Sequence, residues 1–571
     1  MLGIFSILTL ALVVFSIAGF GIGKVLAVMS SSLKNLSLSL SDGTILSLLF
    51  IWTTLQIHVL MLPAKSGFPI YMTLVLTFLG SIGFKSWVAR MRSEAKLSRK
   101  IFTIKFVSIL LFNLLVSWQA ARPINWTDTW LYHLNMVKWI RDYGIVTGLA
   151  HLHSRLGFNS SFHTFATFFD LGPLNGRSAH LALAFLSSAT IMRALSFGFN
   201  KSAARLYCST LSIRGVSIAI AVYIGLMTSV ASLSTDHALG FICLLFGLEI
   251  LLFSVETNRQ IIPVRLGIAL NLAAIASGTK MAALPLVAIM FALTALFIWQ
   301  QRCRNHDAIW GLPLLILISA PPIANLLTHV AATIKLTGWP FYPIPVFEMG
   351  FDYDIPKLLV EAELESVANW ARHRSSAPPE SFLAWFQPWI MTHLKNSQFL
   401  LMTSSLTIST LLTLKSHFHK NDLDPVNMSQ IILFSSSCAL FLFWLKGAPD
   451  IRFALGVYIL SILAAQISIH NILGDGQMTQ VSVIITIAVL AISTMQDLQN
   501  LTLPQAIVRI PVATSMPLKT EVMDGASGQG GFTLYVPLNG LCGNSPLPCT
   551  PYPSEKIKLK ERGNLASGFT N

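Results

Sequence analysis

Charge is what this sequence has least of. Only 11% of its 571 residues are Asp, Glu, Lys or Arg, while 53% are hydrophobic. Soluble globular domains carry about 25% charge, so a soluble fold is excluded. The apolar residues come in many separate runs long enough to cross a bilayer. Runs of ~20 residues satisfy their own backbone only as helices, which excludes a β-barrel. Acid is scarcer than base, 25 against 39, for a net charge of +14. The basic residues sit in short loops between apolar runs, where they set orientation. The positive charge is therefore not a nucleic-acid footprint.

Other absences narrow the function. There are six cysteines but no CxxC pair and no Cys/His ligand set, which speaks against zinc. Cys208, Cys243, Cys303 and Cys438 are scattered in or near apolar runs, as soft core residues are. Cys542 and Cys549 stand together in CGNSPLPC, where a disulfide requires an oxidising compartment. No Walker loop, GxGxxG or GxSxG occurs in a strand–helix setting, so nucleotide-driven transport and soluble-type hydrolysis have no support. No internal repeat of 20–50 residues is present. Residues 1–29 lack the leading positive charge of a signal peptide; Lys24 follows the apolar run instead. That stretch reads as a retained span with its N-terminus outside.

What is present predicts an all-α polytopic membrane protein with about 14 transmembrane helices. They fall at roughly 3–28, 44–63, 69–86, 106–121, 179–199, 215–233, 238–255, 262–278, 281–299, 309–328, 397–414, 428–446, 453–471 and 477–496. The 262–299 region reads either as a tight hairpin or as one broken pass. Residues 85–105 hold Lys85, Arg90, Arg92, Lys96, Arg99, Lys100 and Lys105 against Glu94 alone, which places that loop inside. The loops near Lys201, Arg205 and Arg214, near Arg259, near Arg302 and Arg304, and near Lys415 and Lys420 fall inside in the same frame. Residues 1–499 thus form the membrane domain, with outer loops 121–178 and 329–396. Residues 500–571 form a small extracytoplasmic tail, rich in Gly, Ser and Pro, which a disulfide would staple.

The first outer loop is the most polar and aromatic stretch between apolar spans. Thr127 is placed to cap a helix from Asp128 to Tyr143, which Gly144 ends. A second helix, Asn159 to Leu171, is expected along the membrane surface. In the second outer loop, TGWPFYPIPVF reads as a rigid extended strap containing Tyr342, and Lys357 to Arg374 as an amphipathic helix.

Several residues are candidates for chemistry, each with an ordinary explanation beside it. Asp128 suits a general base, or simply the N-terminus of its helix. Tyr132 and Asn135 share its helix face at offsets of four and seven, with His133 one position round. Trp126, Trp130 and Trp139 fit an interfacial belt. His151 and His153 are spaced as metal ligands can be, but no third ligand stands near them, so no metal is assigned. Arg155 suits a phosphate, or a lipid headgroup. Asp236 and His237 are confined to a loop of a few residues, where helix capping competes with function. Lys280 interrupts an apolar region and calls for a partner, unless it sits in a turn. Arg452 suits bidentate phosphate binding, with Asp450 placed to orient it. Glu249 is intramembrane and receives no assignment.

The layout resembles the GT-C glycosyltransferases: many spans, a first large outer loop with an Asp near its start, and a later outer loop. More closely, DTWLYHLNMVKWI, GLAHLHSRLGFNSSF, STDHAL, TGWPFYPIPVF, GAPDIRFALG and LCGNSPLPCTPY resemble a poorly characterised bacterial family of such membrane proteins. The resemblance implies an inverting transfer from a polyprenyl-phosphate-linked sugar donor to a glycan or lipid-linked acceptor. It implies the outer face of a bacterial cytoplasmic membrane, with membrane lipids as further partners. Asp128 would be the base, and Arg452, Lys280 or Arg155 would steady the leaving phosphate. Tyr132, His133, His153, Asn159, Asp236 and Tyr342 complete the expected substrate site. Better-studied members often carry a second acid beside the first; here Thr127 and Thr129 flank Asp128. Two other classes remain: a transporter or flippase of a lipid-linked saccharide, and a non-catalytic envelope scaffold.

Overall fold

The apolar runs become helices throughout. The chain opens with α1 (Leu2–Met29), α2 (Leu40–Met61), α3 (Phe68–Leu97) and α4 (Arg99–Ala120). The loop 121–178 holds α5 (Leu134–Tyr143) and α6 (Ser161–Phe168). Then come α7 (Leu181–Gly198), α8 (Ile213–Gly225), α9 (Thr235–Val255), α10 (Ile262–Thr279), α11 (Leu284–Asn305) and α12 (Leu312–Thr337). The stretch after α12 holds α13 (Lys357–His373) and α14 (Phe382–His393). The last helices are α15 (Ser397–His417), α16 (Pro425–Lys446), α17 (Leu455–Leu473) and α18 (Gln477–Gln499). This computed structural model describes residues 1–124, 126–200, 213–305, 310–374, 379–417, 425–474, 476–499, 520–524, 532–554 and 556–570. Lys201, Arg205, Cys208 and Lys420 lie outside the described residues.

Among the described residues, 12 helices are long and apolar enough to cross a membrane. Two more apolar helices, Ile213–Gly225 and Gln477–Ser493, are shorter. The chain is therefore an all-α, multi-pass integral membrane protein. Lys280 to Ala283 separate α10 from α11, so the 262–299 region is two helices. Pro321 and Pro322 do not break α12, which runs on to Thr337.

Burial sorts the helices into centre and periphery. The α9 window is wholly buried, and α7, α10 and α17 nearly so, whereas α3 and α4 are mostly uncovered. A helix apolar on every side belongs in a core or in lipid. α1 and α2 approach backbone to backbone, because a Cβ on Gly19 would overlap the Gly43 carbonyl. Small residues permit that approach between membrane helices.

The basic stretch 85–105, expected as a loop, is helical on both sides of Ser98, where α3 gives way to α4. Four central helices are tied by charge near that end of the bundle. Ser39 and Asp42 form a capping box at the start of α2, with bonds of 2.7 Å and 3.2 Å. Asp42 also takes Arg193 of α7 at 2.6 Å and Arg265 of α10 at 3.3 Å. Glu249 of α9 takes Arg265 at 3.2 Å and pairs with Arg193. All four side chains are buried. This answers the question Glu249 poses in the sequence. Truncating one member leaves the others buried with an uncompensated charge. Glu249→Ala is expected to destabilise the bundle by about 3–5 kcal/mol, read as thermal unfolding in detergent, with Glu249→Gln milder. Unchanged melting of Glu249→Ala would show that water reaches this network.

The tail forms two small antiparallel pairs. β1 (Thr520–Asp524) runs against β2 (Thr533–Pro537), from Thr520 opposite Pro537 to Asp524 opposite Thr533. β3 (Lys558–Leu559) pairs with β4 (Phe569–Thr570). Cys542 and Cys549 are joined by a disulfide, with Cα atoms 5.9 Å apart. The tail docks on the first outer loop. Gly543 N–H donates to the Trp130 carbonyl at 2.7 Å, and Asn135 Nδ2 to the Cys549 carbonyl at 3.0 Å. Lys138 donates to the Ser545 carbonyl. Thr550 Oγ1 donates to the Leu152 carbonyl at 2.6 Å, and Phe569 N–H to the Thr147 carbonyl at 2.9 Å. Phe569 is fully buried, edge-on to Trp139 at 5.8 Å.

Candidate functional site

The helix of the first outer loop begins irregularly. Residues 129–133 form a single π turn, Leu134 N–H reaching back to the Thr129 carbonyl. Such turns insert one residue into a helix and recur at functional sites. The extra residue changes which side chains share a face. Tyr132 stays beside Asp128 and Arg155, but Asn135 is turned away to the tail. The helix starts at Thr127 itself, so Thr127 is a first-turn residue and not the cap. Gly144 does end α5, at φ +76°.

Asp128 lies within one continuous chain of alternating charges. Glu363 of α13 faces Arg155 Nε at 3.8 Å and accepts from Ser154 Oγ at 2.6 Å. Arg155 Nη1 reaches Asp128 Oδ1 at 3.5 Å. Arg452 Nη1 reaches Asp128 Oδ2 at 3.2 Å, and its Nε reaches Asp236 Oδ2 at 3.4 Å. Asp236 also pairs with Lys280. Asp236 lies in the first turn of α9 and Lys280 caps α10, where helix dipoles favour an anion and a cation respectively. Three acids and three bases from six places in the chain thus meet at one end of the bundle.

The cleft is partly open. The Arg155, Arg452 and Lys280 side chains are 35%, 30% and 25% exposed, while Asp128 is 14% exposed. Aromatic rings form its walls. The Arg452 guanidinium lies 5.5 Å from the Trp126 ring, 5.2 Å from Trp370 and 4.7 Å from Phe453. Lys280 Nζ sits 3.6 Å from the Phe453 ring centre. Cation–π contacts steady these charges beside their acid partners. His237 stands edge-on to Trp126 at 5.3 Å, its Nδ1 bonded to Ser234 Oγ.

Asp450 does not orient Arg452 through its side chain. It accepts the Arg452 backbone N–H at 2.9 Å, capping the short turn 451–454, and its other oxygen takes Arg374 at 2.6 Å. The carboxylate therefore fixes the turn, and the turn aims the guanidinium.

Other sequence candidates serve the cleft from behind. His153 Nδ1 accepts the Arg155 N–H at 3.1 Å, capping the turn that presents Arg155. His133 packs on Tyr132 at 4.4 Å and on His163 at 4.7 Å, buried below the cleft. One candidate points elsewhere: Asn159, at φ +45°, bonds to Thr333 Oγ1 at 2.8 Å and the His329 carbonyl at 2.9 Å, tying the loop to α12. Tyr342 is buried against Phe158 at 6.0 Å, where its phenol feels the charges of Glu363 and Arg155. α6, expected on the membrane surface, is buried instead, and packs against α2, α5 and α7. Its Phe162 and Phe165 need cover on every side, and neighbouring helices supply it. Among the described residues, no group of three or more His, Cys, Asp or Glu gathers as a metal site.

Burial pushes His153 down to about 4 and His163 to about 3, and holds His133 well below the usual imidazole range. All three are neutral at pH 7. Burial, and then the Asp128 charge, raises the Tyr132 phenol. The sign for stability follows. An unfolded His takes up its proton near 6.5, whereas folded His153 resists until about 4. Stability is thus lost as pH falls from about 6.5 to 4, by roughly 3 kcal/mol for this residue. Thermal melts between pH 7 and 4 should show a steep fall that His153→Asn reduces. A flat profile would mean that His153 is charged in the folded protein.

The model of the family described as Domain of unknown function (DUF8201) matches residues 1–459. No curated protein and no solved structure matches the chain. The chain belongs to that family.

Proposed function

We propose that this DUF8201 member is a membrane glycosyltransferase. It would transfer a sugar from a polyprenyl-phosphate-linked donor to a glycan or lipid-linked acceptor, on the extracytoplasmic face of a bacterial cytoplasmic membrane. One observation carries the reading: a carboxylate, Asp128, held in a partly open cleft between two guanidiniums, with an ammonium one ion pair further on. Donor phosphate takes the place of Asp128 between Arg155 and Arg452. That frees the carboxylate to accept the proton of an acceptor hydroxyl. As the glycosidic bond breaks, charge grows on the leaving phosphate, and the three cations meet it there. Inversion follows from direct displacement, with the base and the phosphate on opposite faces of the sugar.

The fold supports this reading in two ways. The site residues come from loops that the positive-inside frame puts on one side, and they converge at one end of the bundle. A frame of 14 crossings would take the 12 long helices together with α8 and α18, and it would put the ends of α9 and of the tail on the side of the site. An extracytoplasmic site also suits the disulfide at Cys542 and Cys549.

A second reading, transport of a lipid-linked saccharide, has one observation in its favour. A cavity of about 360 Å³ opens at the opposite end of the bundle, lined by Arg90, Glu94, Lys105, Arg193 and Arg265 among others. The two readings separate in liposomes loaded with lipid-linked sugar from the source cell. A transferase releases polyprenyl phosphate, whereas a transporter moves intact donor across the bilayer without cleaving it. Release by the purified protein supports the first reading; movement without release overturns it.

A further inference from the structure

The family match ends at residue 459, yet the tail beyond it reaches the cleft. Its point of entry is Tyr552. The backbone there is fixed twice over: Tyr552 N–H donates to Thr550 Oγ1 at 3.1 Å, and Thr550 Oγ1 donates to the Leu152 carbonyl. Pro551 and Pro553 stiffen the chain on both sides. The Tyr552 ring stands edge-on to His153 at 5.2 Å, and His153 lies 6.1 Å from Tyr132. Tyr132 is the ring below Arg155, at 5.8 Å, and Arg155 pairs with Asp128. Tyr552 is therefore the outermost of three rings leading from solvent to the charged cleft. It is 63% exposed.

A rigid, exposed aromatic side chain needs a reason, since ordering it against water gains little by itself. Among the described tail residues, only Leu538 and Tyr552 are large exposed hydrophobics. A bilayer is engaged by a broad apolar face with basic residues beside it. A single flat ring with a hydroxyl at its edge, backed by His153, matches something smaller and amphipathic. A pyranose has that character: one face of C–H bonds and a rim of hydroxyls.

We propose that Tyr552 is a saccharide-stacking subsite at the rim of the cleft, taking the apolar face of a pyranose ring. Only the naming of that sugar as part of the acceptor rests on the transferase reading. The tail thereby adds acceptor selection to a centre built by the family's own residues.

The test uses the full-length protein in nanodiscs. The probe is the oligosaccharide mixture released by mild acid from the source cell's envelope. Saturation-transfer difference NMR should show transfer to sugar C–H protons with wild type and with Tyr552→Phe. Tyr552→Ala should bind about tenfold more weakly, as expected for loss of one ring contact. Protection of Cys542 and Cys549 from alkylation shows that the tail remains folded in each variant. Equal transfer with Tyr552→Ala overturns the proposal, and so does no transfer with wild type. Polyprenyl phosphate release by wild type, measured separately, reports the transferase reading. Its failure would leave the stacking result standing as binding without transfer.

Discussion

Asp128→Asn is expected to lower donor turnover by about 10²–10⁴-fold, the usual contribution of a positioned general base. The substitution keeps size and shape, so insertion and melting should stay close to wild type. Its effect on donor binding should have the opposite sign. Arg155 and Arg452 both contact the Asp128 carboxylate, at 3.5 Å and 3.2 Å. Removing that charge leaves two guanidiniums less neutralised, and they should hold a donor phosphate more tightly. The signature is thus a fall in kcat with an unchanged or lower KM for donor. It is measured as release of polyprenyl phosphate in liposomes. Loss of turnover through a raised KM alone would make Asp128 a binding residue. Unchanged turnover would remove it from the chemistry and turn attention to Asp236.

Arg452→Ala should be nearly as damaging for a different reason. Arg452 alone joins the two acids, with Nη1 on Asp128 and Nε on Asp236. Without it, two carboxylates face the incoming phosphate with one cation fewer. Loss of a donor aimed at developing charge costs about 10²–10³ in rate. Arg452→Lys restores the charge but not the fork, since one ammonium cannot reproduce the bridge from two separated nitrogens. Lys should therefore recover only part of the loss. The comparison is kcat/KM for donor in the three proteins, with melting temperature alongside. A loss that follows melting temperature, or full recovery with Lys, would assign Arg452 a structural or purely coulombic role.

The helices were legible because a bilayer fixes their length. Each of the 14 apolar runs falls at least in part on a helix, the 215–233 run outlasting α8 by eight residues, and 12 of those helices are long and apolar enough to cross. The convergence of Asp128, Arg155, Asp236, Lys280 and Arg452 was legible in a weaker sense. Their loops share one side in a frame set by basic residues elsewhere. Which of them touch was not legible: Lys280 and Asp236 are 44 residues apart, and only packing joins them. Glu363 escaped notice because an amphipathic helix with Glu361, Glu363 and Glu365 gives no sign of which acid faces inward. Asn159 was chosen by its company in a polar stretch, and its partners lie on α12. Asn135 was misplaced because one residue of π turn rotates everything after it. The network of Asp42, Arg193, Glu249 and Arg265 spans four helices and has no local pattern.

The docking of residues 532–570 has a consequence for the order in which the protein becomes complete. Those residues are synthesised after α1 to α18, yet their partners Trp130, Asn135 and Lys138 lie in the loop 121–178. That loop waits for α7 to α18 to be made before it meets them. A nascent chain inserted only through its early helices carries Asp128 and Arg155 but lacks Arg452 and the tail. Assembly of the charged cluster and of its covering tail is therefore complete only after residues 532–570 have been made.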